Sequence, residues 1–177
     1  PGFASAKVLV APQRRTGHGG YDLYVLERDA AALFAALQAR GAKAAGEEAL
    51  ELSRVASGIP KAASEAGEGV LPQEAGLDFA VSYRKGCYLG QEIMARVEAR
   101  GKLRRSLFGL RYNQRPEEGA KDVLVEGKTV GRRGDAVDHP ELGPLSLAVL
   151  RNDLAVEATL HCGGATAKVT PLPFEAP

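Results

Sequence analysis

Val123-Leu124-Val125-Glu126-Gly127-Lys128-Thr129-Val130 decides how the second half of this 177-residue chain folds. Two short aliphatic and β-branched runs are split by Glu-Gly, and a two-residue loop ending in Gly is the usual way to reverse a strand tightly. Outward from it, Leu107, Gly109 and Arg111 alternate with Phe108, Leu110 and Tyr112, the period-two pattern of a strand. Residues 145–150, 155–160 and 166–169 supply further short strands. Short strands with close turn signals predict a small antiparallel barrel or sandwich from about residue 102 onward.

The first half has a different texture. Residues 8–11 form a short apolar run that predicts a strand. Residues 14–20 make a turn through Gly17, Gly19 and Gly20, and residues 21–26 alternate as a second strand. Asp29 predicts an N-cap for a helix over 30–40, with Leu33, Phe34 and Leu37 as its apolar stripe and Gly41 as its stop. A second helix is expected over 47–57, ended by Gly58 and Pro60. Residues 60–76, rich in Gly, Ala, Glu and Pro, read as a long surface connection. The boundary falls near Gly101, dividing an α+β part, residues 1–100, from a β part, residues 101–177.

Composition excludes several classes. Twenty-three Lys and Arg against 22 Asp and Glu leave a net charge of +1, so any electrostatic role must come from local clustering. No apolar run approaches the roughly 18 residues that cross a bilayer. No secretory signal is visible, and two cysteines do not make a disulfide scaffold, so a cytoplasmic monomer is expected. The chain opens on Pro1 rather than Met, which leaves it either processed or a piece of something longer.

The stretch that carries chemistry is Lys85-Gly86-Cys87-Tyr88-Leu89-Gly90-Gln91-Glu92. If residues 85–87 are extended, Lys85 and Cys87 share a face, and an ammonium there favours thiolate over thiol. A helix starting at Gly90 would favour the anion further. Cys87 is thus either a reactive thiol or, as free cysteines often are, a small buried hydrophobe. Cys162, in His161-Cys162-Gly163-Gly164, reads as core or turn. His18, His139 and His161 are scattered without metal-ligand spacing, so no metal site is expected. Residues 84–105 hold Arg84, Lys85, Arg96, Arg100, Lys102, Arg104 and Arg105 against Glu92 and Glu98, a local charge of 7 − 2 = +5. That stretch is either a solvated face or a site for an anion or a phosphate backbone, although few aromatics are interleaved for base stacking. Gly17-His18-Gly19-Gly20 lacks the spacing of a phosphate loop and reads as a structural turn.

These residues resemble a known family. Residues 15–23, Arg-Thr-Gly-His-Gly-Gly-Tyr-Asp-Leu, and residues 71–77, Leu-Pro-Gln-Glu-Ala-Gly-Leu, are similar to segments shared across the glycine-cleavage T-protein (aminomethyltransferase) superfamily. Residues 85–92 resemble the signature of its YgfZ branch, folate-binding proteins of tRNA modification and iron–sulfur maintenance; the T-protein branch has a similar segment without the cysteine. Val130-Gly131 and Leu172-Pro173-Phe174 match as well, so the resemblance runs from about residue 14 to 174.

The resemblance implies an α+β fold, with a mixed α/β folate-channel subdomain followed by a C-terminal antiparallel β-barrel, and with the first subdomain of the family absent. It implies tetrahydrofolate as cofactor, Cys87 and Lys85 as catalytic residues, and Tyr21, Glu74, Arg84, Lys85, Tyr88 and Gln91 as folate-binding residues. Arg84 and Lys85 would meet the glutamate tail, whose carboxylates pair with such groups. Tyr21 and Glu74 would line or brace the channel. Two segments depart from the family. Arg54-Val55-Ala56 has alanine where an acid reads the pterin ring, and Gly131-Arg132-Arg133-Gly134 replaces Gly-x-Val/Thr-Thr-Ser. The partners implied are a folate derivative and tRNA or an iron–sulfur protein, with no membrane. Folate-dependent aminomethyl transfer, and a tRNA-binding module built on residues 84–105, are the alternatives.

Overall fold

A computed structural model describes residues 2–3, 6–154 and 158–174, without the side chains of residues 3, 98 and 100. Two hairpins come first, β1 (Gly2–Phe3) with β2 (Ala6–Lys7), and β3 (Leu9–Gln13) with β4 (Gly20–Tyr24). The strand expected at 8–11 is therefore shifted, and the one at 21–26 stops at Tyr24. Helix α1 (Glu27–Ala39) begins earlier than residue 30. Leu26 holds the N-cap position without a side-chain bond, and Asp29 lies inside the first turn rather than capping it. There its carboxylate still faces the positive helix end. The residue after the α1 C-cap is Gly41, at φ 94°, as its sequence position required. Helix α2 (Glu47–Ala56) ends with Gly58 at φ 71°. A single 3-10 turn (Asp78–Ala80) precedes α3 (Gln91–Arg100).

The second half is a closed barrel. Its strands are β5 (Arg105–Tyr112), β6 (Asp122–Val125), β7 (Lys128–Arg133), β9 (Gly143–Arg151), β10 (Leu160–Cys162) and β11 (Ala165–Thr170), while β8 (Val137–His139) pairs outside the ring on β9. The order β5-β11-β10-β6-β7-β9 returns to β5 through an antiparallel β5–β9 ladder, so six strands close with no free edge. The Glu126-Gly127 turn has positive φ at both residues, 48° and 76°, the twist a tight hairpin needs. Part of the strand expected at 155–160 lies outside the described residues; the strand seen there is β10.

Inside the barrel pack Leu110, Tyr112, Val123, Val130, Leu150, Leu160 and Cys162. A second cluster lies on its outer face, where Val55 of α2 meets Leu142, Leu145, Leu147 and Phe174. Strand β9 is covered on both faces, which is why residues 145–150 read as a nearly unbroken apolar run instead of alternating. Gly109 makes this packing possible. A Cβ there would lie 2.6 Å from the Phe174 ring.

Residues 60–76 are not the surface connection expected from their composition. Glu65, Gln73, Glu74 and Ala75 are all buried. Glu65 accepts from Arg54 Nη1 at 3.1 Å and the Lys61 amide at 2.9 Å, and Gly134 leaves room for its carboxylate. Ion pairs, which composition reports only as polarity, glue this segment to α2 and the barrel. The other face of the first half stays open. Helix α1 buries no residue, and Tyr21, Leu23, Leu26, Phe34 and Leu37 are exposed.

Candidate functional site

Residues 71–77 coil into a tight turn through Ala75 N to Leu71 O at 3.1 Å and Leu77 N to Pro72 O at 2.8 Å. The turn buries Glu74, whose carboxylate accepts from Arg105 Nε at 3.1 Å, Arg105 Nη2 at 2.7 Å and the Leu71 amide at 3.1 Å. Arg105 opens β5 and also donates to Gly69 O at 2.6 Å. A bidentate charge-assisted pair of this kind fixes orientation as well as distance. Glu74 is fully engaged in bracing the turn against the barrel.

Next to it, Gln73 Nε2 donates to Tyr83 Oη at 2.8 Å. That bond ties the segment bearing Cys87 to the anchored turn. Cys87 itself is exposed, which removes the reading of it as a buried hydrophobe. Lys85 Nζ sits 4.4 Å from the centroid of the Tyr88 ring, a cation–π contact. Gly90, at φ 88°, is the N-cap of α3, so a helix does begin at Gln91, four residues after the thiol. Gln91 Oε1 lies 3.4 Å from the Tyr88 amide and steadies this junction.

The charge around this segment is largely uncompensated. Of the basic residues of 84–105, Arg105 takes part in an ion pair, while Arg84, Lys85, Arg96, Lys102 and Arg104 form none among the described residues; the Arg100 side chain lies outside them. Arg104 and Arg105 line an open cleft of about 790 Å³ with Glu74, Leu103, Arg151, Asn152 and Asp153. Cys87 and Lys85 do not line that cleft.

The remaining candidates stand apart. Tyr21 is exposed on β4, beside Asp22, which Arg15 grips at 2.8 and 2.5 Å; that bond holds the Asp22 carboxyl below its ordinary range. Tyr21 shares no hydrogen bond with the other candidates among the described residues. The Gly17 amide donates to Ser57 Oγ at 2.7 Å, so the glycine-rich turn is a docking point for the end of α2. Ala56 ends α2, and its carbonyl accepts from the Phe174 amide at 2.9 Å. Arg54 is buried against Glu51 and Glu65. Cys162 is core, its thiol between Arg133 Nε at 3.2 Å and Ala120 O at 3.3 Å. The contacts that hold the site, Glu74–Arg105 and Gln73–Tyr83, were not foreseen. The only signal for them was a Gln-Glu pair inside an otherwise apolar turn.

The aminomethyltransferase of Geobacillus kaustophilus is 32% identical over 97% of this chain and 50% of its own length. The tRNA-modifying protein YgfZ of Edwardsiella ictaluri is 34% identical over 82% of this chain and 47% of its own. The chain belongs to the aminomethyltransferase superfamily. Its curated relatives include both aminomethyltransferases and YgfZ proteins. The crystal structure of glycine cleavage system aminomethyltransferase T from Bartonella henselae superposes with a TM-score of 0.75 at 18% identity, covering 94% of this chain and 49% of that one, and shares its fold. No protein-family model matches the chain. The chain spans about half the length of the superfamily members it matches. Among the described residues no helix is long and apolar enough to cross a membrane.

Proposed function

We propose that this chain is the channel-and-barrel portion of a tetrahydrofolate-binding accessory protein of the YgfZ type, acting in tRNA modification and in assembly or repair of iron–sulfur proteins. Residues 1–100 contribute to the folate channel, and residues 101–177 are the barrel that steadies it. The protein works as a cytoplasmic monomer. The observation that carries this reading is the exposed Cys87 on a segment that also carries Arg84 and Lys85 in sequence and is pinned to the barrel-anchored turn through Gln73 and Tyr83.

The residues suit the acidic end of a folate. Arg84 and Lys85 offer cations without a competing ion pair among the described residues, and carboxylates are their natural partners. Tyr88, Gln91 and Tyr21 supply ring faces and polar ends to the channel, and Glu74 braces it. Tetrahydrofolate, when bound, supplies ring nitrogens that carry a one-carbon unit. This chain's own part is to hold the tail, to orient it against Cys87 and to keep Lys85 close in sequence to the thiol. Ala56 offers the pterin ring no carboxylate, so affinity rests on the tail more than in relatives with the acid.

Calorimetry with tetrahydrofolate tests this, on the present chain and on one extended by the half that relatives carry beyond the matched stretch. Binding by the extended chain, weakened at least tenfold by Arg84→Ala with Lys85→Ala and strengthened by Ala56→Glu, is the expected result. Absence of binding in both chains rejects it. The unpaired cations of residues 84–105 favour one second reading, tRNA contact. A steep salt dependence of tRNA binding, lost on changing Arg96 and Arg104, would support that reading over folate.

A further inference from the structure

From Asp78 to Lys102 the chain is barely attached to the rest of the molecule. None of its described side chains is buried, and Phe79 and Leu89 are 86% and 103% exposed. Among the described residues it takes part in no ion pair. Its backbone hydrogen bonds are local and reach no farther back than Leu77. One side-chain bond leads out of it, from Gln73 Nε2 to Tyr83 Oη at 2.8 Å. The two ends, by contrast, are fixed. The Leu77 amide donates to Pro72 O at 2.8 Å, in the turn that Glu74 and Arg105 brace, and Asn152 donates to Leu103 O and Arg104 O, both at 2.9 Å. Beside each end stands a glycine in the left-handed region, Gly76 at φ 73° and Gly101 at φ 60°.

The open cleft of about 790 Å³ lies at the base of this excursion, because Glu74 lines it from one anchor and Leu103, Arg104, Arg105 and Asn152 line it from the other. Cys87 follows Leu77 by ten residues. That much extended chain reaches about 33 Å, so the thiol can enter the cleft while both anchors hold. Phe79 and Leu89, left in water in the present position, gain by being covered. One neutral hydrogen bond with an exposed partner, Tyr83, is a small counterweight. We propose that residues 78–102 form a flap that hinges at Gly76 and Gly101, that the Gln73–Tyr83 bond latches it in the open position, and that on release it folds over the cleft and carries Cys87 into it. Closure assembles what neither part has alone. The cleft has no thiol among its lining residues, and the exposed thiol has no wall around it. The motion does not depend on which ligand the cleft takes.

Disulfide trapping in the full chain reads the closed position. A second thiol is placed in the cleft by Asp153→Cys or, independently, by Arg151→Cys, both at exposed lining positions. Lys128→Cys, exposed at the tip of the β6–β7 hairpin and not part of the cleft lining, is the control. Cys162 is buried and does not compete. A disulfide needs its two Cα atoms within about 7 Å, which a closed flap provides in the cleft and not at the hairpin tip. Under diamide the cleft variants are expected to bond intramolecularly to Cys87 on the order of tenfold faster than the control, at a rate independent of protein concentration. Adding Tyr83→Phe removes the latch and should speed trapping about fivefold while leaving the control unchanged. If neither cleft position traps Cys87, or both trap it no faster than Lys128→Cys, the flap is overturned. Trapping that Tyr83→Phe does not accelerate overturns the latch.

Discussion

Arg105, the first residue of the barrel, closes on Glu74 through Nε and Nη2 at 3.1 and 2.7 Å, across 31 residues of chain. The Glu74 side chain is 6% exposed and that of Arg105 37%. This pair connects the rigid barrel to the turn from which the Cys87 segment hangs. Arg105→Ala strands a buried carboxylate and is expected to destabilise the fold by about 2–3 kcal/mol, below the figure for a fully buried pair because the arginine is partly solvated. Urea denaturation measures the loss, and hydrogen exchange should show amides 71–90 losing protection before the barrel does.

Thiol accessibility separates the two cysteines. Cys87 is exposed, whereas Cys162 is 2% exposed and closed in by Arg133 and the Ala120 carbonyl. Under native conditions near neutral pH, iodoacetamide should modify Cys87 on the order of 100-fold faster, and the two rates should converge in denaturant. Comparable native rates would remove Cys87 from the site.

Gly134 is a packing requirement. A Cβ at this position would stand 1.9 Å from Glu65 Oε1, inside the buried Arg54–Glu65 pair. Gly134→Ala is expected to cost about 2–3 kcal/mol by overpacking, read as a lowered urea midpoint. In a Glu65→Ala background the same change should cost much less, because the clashing group is gone.

Alkali should unfold the barrel. Burial pushes the Tyr112 hydroxyl up to about 12, against the partial relief of its bond to Ser146. Between pH 10 and 12 the unfolded chain loses this proton and the folded chain keeps it, so stability falls as pH rises through that window, by about 2–3 kcal/mol in all. Tyr112→Phe should flatten that slope at the expense of the Ser146 bond. Stability measured in urea from pH 9 to 12 checks both effects.

Much of the barrel could be read from residue order. The Glu126-Gly127 turn and the alternation of residues 107–112 are local signals, and local backbone preference was enough to satisfy them. The exposed face of β4 shows the limit of such reading. Tyr21 and Leu23 alternate as strand residues should, yet they lie open, because alternation reports the strand and not what covers it. Residues 60–76 show the opposite failure. Polar composition suggested solvent, but paired charges can be buried, and pairing depends on where two distant segments meet.

The one-dimensional string determined the elements with short-range causes: the hairpin, the helix stops at Gly41 and Gly58, and a cysteine set between two glycines ahead of a helix. Tertiary structure alone decided that Cys87 is exposed while Cys162 is sealed, that Glu74 pairs with Arg105, and that Gln73 is tied to Tyr83. Burial and hydrogen-bond partnership are properties of contacts between residues far apart in the chain, and no local preference encodes them.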